Sequence, residues 1–181
     1  MLRENLIKFY DKPVDIDVFK QKQKLKPYVK TALQMLEARM KGGGDRRLKI
    51  LEIGAGTGVF SKEICTRVNG SLLVLSDISI RKVESFDDSD GLARAVDTKN
   101  IFLDMDDPQC FEKVKAQFGL FDIILFDAAL HHAASLWLTL GFCKTLLAEN
   151  GCVVASREQF LSKWFYRRDI EKLKAFLRLI L

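Results

Sequence analysis

The sequence predicts an α/β domain with a doubly wound, mostly parallel sheet, and three observations carry that prediction. Apolar runs of strand length recur along the 181 residues, at 48–53, 72–75, 101–103, 123–126 and 152–156. Between them lie stretches with helical spacing. Gly54, Gly56 and Gly58 turn the first run directly into the helical pattern Phe60, Ile64 and Val68. Finally, Ile123 to Phe126 is unbroken apolar sequence, as befits a strand buried on both faces.

Ahead of the first strand, residues 1–26 are mixed and highly charged, with Pro13 and Pro27 as breakers. Pro27 suits the first position of a helix, where its missing N–H costs nothing. Val29, Ala32, Leu33, Leu36 and Met40 then fall on one face, and Gly42 to Gly44 end the helix. The expected organisation is a helical extension over 1–44 followed by one domain over 45–181.

The stretch 48–60 reads L-K-I-L-E-I-G-A-G-T-G-V-F. A strand entering a helix through glycines lets the backbone approach a ligand closely, and a helix N-terminus favours a negative group. Dinucleotide sites place a third glycine where Val59 stands here, giving G-x-G-x-x-G. This chain has E-x-G-x-G-x-G, beginning at Glu52. A carboxylate there suits a cofactor bearing an ammonium group, such as S-adenosylmethionine (SAM), and suits a pyrophosphate poorly. No C-x-x-C and no histidine at ligand spacing accompany Cys65, Cys110, Cys143 and Cys152, so zinc is not expected. Reduced, mostly buried thiols and a cytoplasmic location are expected.

On this motif and those that follow it in order, the chain resembles the class I SAM-dependent methyltransferases. The resemblance covers roughly residues 45–160 and implies a Rossmann-like sheet in the order 3-2-1-4-5, with SAM as cofactor and no metal. It places Glu52, Gly54, Ala55, Gly56 and Gly58 around the cofactor. Asp77 ends the second strand, where an acid meets the two ribose hydroxyls, with Ile78 beside it. An acid at this offset also serves NAD enzymes, and capping the next helix is the structural alternative for Asp77. Asp104 follows the third strand at the position that meets the adenine amino group, with Met105 as an apolar contact on the ring. Asp106 and Asp107 read instead as helix-start residues before Pro108, in a helix lined by Phe111, Val114 and Phe118 and stopped by Gly119.

The next string, F-D-I-I-L-F-D-A-A-L-H-H over 121–132, resembles a form common among small-molecule methyltransferases of this class. Asp127 emerges at the carboxyl end of the fourth strand, the topological switch point, as a cofactor contact. Asp127 and His131 are the candidate catalytic residues. His131 can act as a base or orient the acceptor; for both His131 and His132, packing at the start of the helix Leu136, Leu140, Leu147 is the alternative. Tyr10 lies in a segment that often covers the cofactor in similar enzymes. Tyr10, His131 and Arg157 are therefore the expected acceptor contacts, with ordinary packing as the alternative for Tyr10 and a surface ion pair for Arg157. L-L-A-E-N-G-C-V-V resembles the family's L-L-x-P-G-G passage, with Glu149-Asn150 replacing Pro-Gly ahead of a fifth strand at Cys152 to Ser156.

Several substrate classes are disfavoured. The Asn/Asp-Pro-Pro-aromatic string of amino-directed base methyltransferases is absent, no cysteine sits where cytosine-C5 enzymes need one, and Asp127 lacks the clustered acids of magnesium-dependent catechol-type enzymes. Residues 87–91, D-D-S-D-G, supply too few ligands for a calcium loop. No apolar run approaches the ~20 residues of a membrane span, and the N-terminus carries acids early, unlike a secretory signal. The net charge of +5 is uneven: residues 1–48 hold twelve Lys/Arg against six Asp/Glu, and 49–156 hold ten against fifteen. The basic run Lys20 to Lys26 reads as a solvated helix face. The leading expectation is a small-molecule acceptor. An RNA- or protein-directed enzyme using the basic N-terminal region comes second, and a non-catalytic binding module third. The family's two further strands have no counterpart here. The edge of the fifth strand is therefore expected to meet another chain or further residues, with the stripe Ile170, Leu173, Phe176, Leu177 and Ile180 covering one face.

Overall fold

A computed structural model describes residue 34 and residues 48–56, 58–65, 72–84 and 96–158. Strands β1 (Lys49–Ile53), β2 (Leu72–Asp77), β3 (Asp97–Phe102), β4 (Phe121–Asp127) and β5 (Leu147–Ser156) alternate with helices α1 (Val59–Cys65), α2 (Ile80–Glu84), α3 (Pro108–Phe118) and α4 (Leu136–Leu146). All four strand pairings are parallel, and the sheet order is β3-β2-β1-β4-β5, as the resemblance implies.

Strand alternation divides the apolar residues between two cores. Ile50, Leu73, Leu75, Ile123 and Leu125 face Phe60 and Ile64 of α1 and Val83 of α2. Leu51, Ile53, Val74, Ile124 and Phe126 face Phe111 and Val114 of α3 and Leu140, Cys143 and Leu146 of α4. Runs that are apolar at every position follow from having helices on both faces.

Two strands start earlier than the sequence indicates. β3 begins at Asp97 rather than Ile101, because its first residues, Asp97 to Asn100, lie on an exposed edge that needs no apolar side chains. Leu103, expected within that strand, is buried just beyond it. β5 begins at Leu147, which was expected to close the preceding helix. Leu147 pairs with Phe121, and the register then shifts so that Cys152 pairs with Ile123. Asn150, at φ +63, lies within that irregularity. The Asn150-Gly151 pair thus bends a strand instead of preceding one.

Capping follows the local sequence. Asp107 caps α3 by accepting from the Gln109 N–H at 3.1 Å, Pro108 opens the helix, and Gly119 ends it at φ +74. Asp106 does something else: its Oδ1 accepts from the Ala134 N–H at 2.9 Å, tying the loop before α3 to the loop before α4. Cys110 and Cys143 are buried free thiols, and burial pushes the Cys143 thiol far above its usual range. Among the described residues, no helix is long and apolar enough to cross a membrane. Tyr10, the Lys20 to Lys26 run, the Pro27 helix apart from Gln34, residues 87–91 and the stripe from Ile170 to Ile180 lie outside the described residues.

Candidate cofactor and acceptor site

The alternation that builds the cores also gathers the acids. Glu52 is in register with Leu75 and Leu125, so it points to the α1 face of the sheet. Asp77 lies two residues beyond Leu75 and Asp127 two beyond Leu125, which puts both on that same face. Ser156 joins them, since it is in register with Asp127. Three carboxylates therefore meet at the carboxyl ends of neighbouring strands, all of them buried.

Each has distinct partners. Glu52 accepts a hydrogen bond from the Ser61 hydroxyl of α1, and the Ser76 hydroxyl donates to the Glu52 carbonyl at 2.9 Å. Burial pushes the Glu52 carboxyl up to about 8; Ser61 opposes that shift and the charge of Asp127 adds to it. Asp77 accepts one backbone N–H on each oxygen, Gly56 on Oδ2 and Ser79 on Oδ1, both at 2.9 Å. A carboxylate has about four acceptor positions, so these two bonds leave capacity on both oxygens. Asp77 is thus both the anchor of the loop entering α2 and an acceptor facing the glycine turn.

The glycine loop itself is held by Ser76, whose carbonyl accepts from the Gly54 and Ala55 N–H groups at 2.8 and 2.9 Å. Gly54 has φ +74, and a Cβ there would stand 2.5 Å from the Ala129 Cβ. Its role is close packing. Gly56, at φ +57, differs: a Cβ there would meet nothing within 4 Å among the described residues. Met105 reaches the same loop, its Cε 3.9 Å from the Cβ position of Gly54. Asp104 is buried, with Oδ1 accepting from the Asp106 N–H at 2.9 Å. Gly58 lies just before α1, and Ile78 separates Asp77 from buried Ser79.

On the β4 side the structure assigns partners that local spacing does not reveal. Arg157 grips Asp127: its Nε donates to Oδ1 at 2.7 Å and its Nη2 donates to Oδ2. Ser156 donates to Oδ1 at 2.5 Å. The Arg157 guanidinium is therefore committed to Asp127, where sequence alone offered an acceptor or a surface partner. Glu158 holds the turn after β4. Its Oε1 accepts from the Ala129 and Leu130 N–H groups and its Oε2 from the His131 N–H, all at 3.0 Å. His131 Nδ1 lies 2.7 Å from the same Oε2. His131 and His132 occupy a 3-10 turn, Leu130–His132, rather than the start of α4, with ring centroids 4.1 Å apart. Partial desolvation, aided by the neighbouring His131, lowers the pKa of His132.

Ser61, Ser156 and Glu158 are the site residues that sequence reasoning missed as such. Glu158 lies 27 to 29 residues from its partners, and no local motif marks it.

A family model described as a methyltransferase domain matches residues 20–178. Among solved structures, the CurJ carbon methyltransferase is 24% identical with a TM-score of 0.57, over 71% of this chain and 34% of that one. The SAM-dependent methyltransferase from Agrobacterium tumefaciens is 18% identical with a TM-score of 0.58, over 86% of this chain and 50% of that one. The plantazolicin methyltransferase BpumL, in complex with a triazolic desmethylPZN analogue and SAH, is 14% identical with a TM-score of 0.58, over 85% of this chain and 57% of that one. These likenesses are of fold, and the chain spans less than two-thirds of each structure. No protein with a curated description matches the chain.

Proposed function

The chain belongs to the methyltransferase domain family, and from that premise we propose that it transfers a methyl group from SAM to a small-molecule acceptor. The observation that carries the proposal is the convergence of Glu52, Asp77 and Asp127 on one sheet face, beside Gly56, where a Cβ would meet none of the described residues within 4 Å. A plantazolicin methyltransferase among the structural relatives supports a small acceptor.

Bound SAM supplies a methyl group made electrophilic by its sulfonium. The protein's task is then alignment, which can lower a barrier by roughly 7–11 kcal/mol. Asp77 fixes the ribose with the acceptor capacity its two backbone bonds leave. Glu52 and the glycine loop take the methionine half, while Asp104 and Met105 take the adenine. Asp127 has both oxygens bonded and forms part of the wall, so of the two candidate catalytic residues His131 is the proton acceptor. A carboxylate only accepts, so the contact with Glu158 places a hydrogen on Nδ1 of His131 and leaves Nε2 as the nitrogen that can take a proton from the acceptor. Arg157 keeps Asp127 neutralised beside the acceptor end.

Labelled SAM incubated with pooled small molecules, and separately with RNA, tests the acceptor class. Label is expected in a small molecule. His131→Gln should then lower kcat on the order of 100-fold, the low end for loss of a general base, with SAM affinity unchanged. Label in RNA alone, lost on changing Lys20, Lys22, Lys24 and Lys26 to Gln, would replace this reading with the nucleic-acid one.

A further inference from the structure

SAM and its product S-adenosylhomocysteine differ by one charge. The sulfonium is cationic, the thioether is neutral, and the remaining atoms are alike apart from the methyl group. Relative affinity for the two therefore reports the electrostatic potential where the sulfur sits.

With adenine at Asp104 beyond β3 and ribose at Asp77 at the end of β2, the sheet order β3-β2-β1-β4 carries the rest of the cofactor toward β1 and β4. There the ionisable groups are Glu52 on β1, whose uncharged form burial favours, Asp127 on β4 and Arg157 after β5; Asp127, Arg157 and Asp77 of β2 all act on Glu52. Glu158 is engaged by three backbone N–H groups and His131. Ser61 of α1 and Ser156 of β5 add neutral hydroxyls. Arg157 is the cation that the described residues place among these carboxylates, and its two-point grip cancels the charge of Asp127 at the carboxyl end of β4.

We infer that Arg157 is a specificity-determining residue that sets the preference of this site for SAM over S-adenosylhomocysteine. The inference rests on the SAM reading above. Without Arg157, Asp127 stands uncompensated and holds the sulfonium in its ground state. With it, the charge of Asp127 is compensated and the site is less negative, so it favours a cationic sulfonium over a neutral thioether less strongly.

The test is calorimetric titration of the full chain with each ligand, giving the ratio of the two Kd values, a readout independent of turnover. Arg157→Gln should shift the ratio toward SAM by roughly tenfold, from one unit charge acting through a partly screened site. Asp127→Asn, which removes a negative charge and keeps the guanidinium, should shift it toward S-adenosylhomocysteine. Arg157→Lys should keep the parent ratio. If Arg157→Gln does not fold, the direction of the Asp127→Asn shift decides. Equal loss of affinity for both ligands, or an unchanged ratio, makes Arg157 a purely structural residue and overturns the inference. A parent chain that binds neither ligand overturns the cofactor reading with it.

Discussion

Gly54→Ala should destabilise the fold by about 2–5 kcal/mol, before any ligand is considered. Two costs combine. A non-glycine residue in the left-handed region costs roughly 1–2 kcal/mol, and φ here is +74. Overpacking a closed site costs about 1–3 kcal/mol more, and the new Cβ would sit 2.5 Å from that of Ala129. Neither side can yield easily. Gly54 is tied to Ser76 by its N–H, and Ala129 is tied to Glu158 by its own. Gly56→Ala is the informative companion. With none of the described residues within 4 Å it should carry the backbone cost alone, yet it should obstruct the cofactor space. Thermal melts should show a much larger loss for Gly54→Ala, whereas titration should show that the folded Gly56→Ala protein binds SAM poorly. Equal melting of Gly54→Ala and parent would contradict the packing role.

The second large effect concerns pH. Glu52 is buried on the α1 face, and burial pushes its carboxyl up to about 8 from an ordinary value of 4.5. Between those values the folded protein holds a proton that the unfolded chain has released. Stability should therefore be greatest below about 4.5 as far as Glu52 is concerned, fall as pH rises through the window, and level off above about 8. The slope is at most about 1.4 kcal/mol per pH unit for a single group. Glu52→Gln mimics the protonated form and removes that slope, so its advantage over the parent should grow from pH 5 to pH 8. Urea denaturation at several pH values measures it. A constant difference between the two proteins across that range would mean that Glu52 is ionised in the fold. Binding of a cationic ligand beside Glu52 should in turn release part of a proton near neutral pH.

How much of this was legible follows from burial and from sequence distance. The strands β1, β2 and β4 announce themselves because helices cover both faces, leaving Ile50, Leu51, Leu73, Val74, Ile123 and Ile124 apolar at consecutive positions. The start of β3 is silent because Asp97 to Asn100 lie on an exposed edge, where polar residues pair as well as apolar ones. Glu52, the three glycines and Asp77 could be found because strand, turn and next strand fix their spacing. Even there, sequence did not reveal that Gly54 serves packing while a Cβ at Gly56 would meet none of the described residues within 4 Å. Arg157 and Glu158 were visible as charged residues at a strand end, yet their partners were not. Asp127 lies 30 residues from Arg157, and only the β4–β5 pairing brings them together. The same pairing gives Arg157, an expected acceptor contact, a buried acid as its partner.

Titration of the metal-free chain with SAM, in parallel with NADH and alongside Asp77→Ala, tests the central claim most directly. The account predicts that SAM binds, that NADH does not, and that Asp77→Ala weakens SAM by on the order of 1.5–3 kcal/mol while the protein stays folded, the range for a hydrogen bond to a charged group. Binding of NADH without SAM, or a folded Asp77→Ala protein that binds SAM as tightly as the parent, would contradict it.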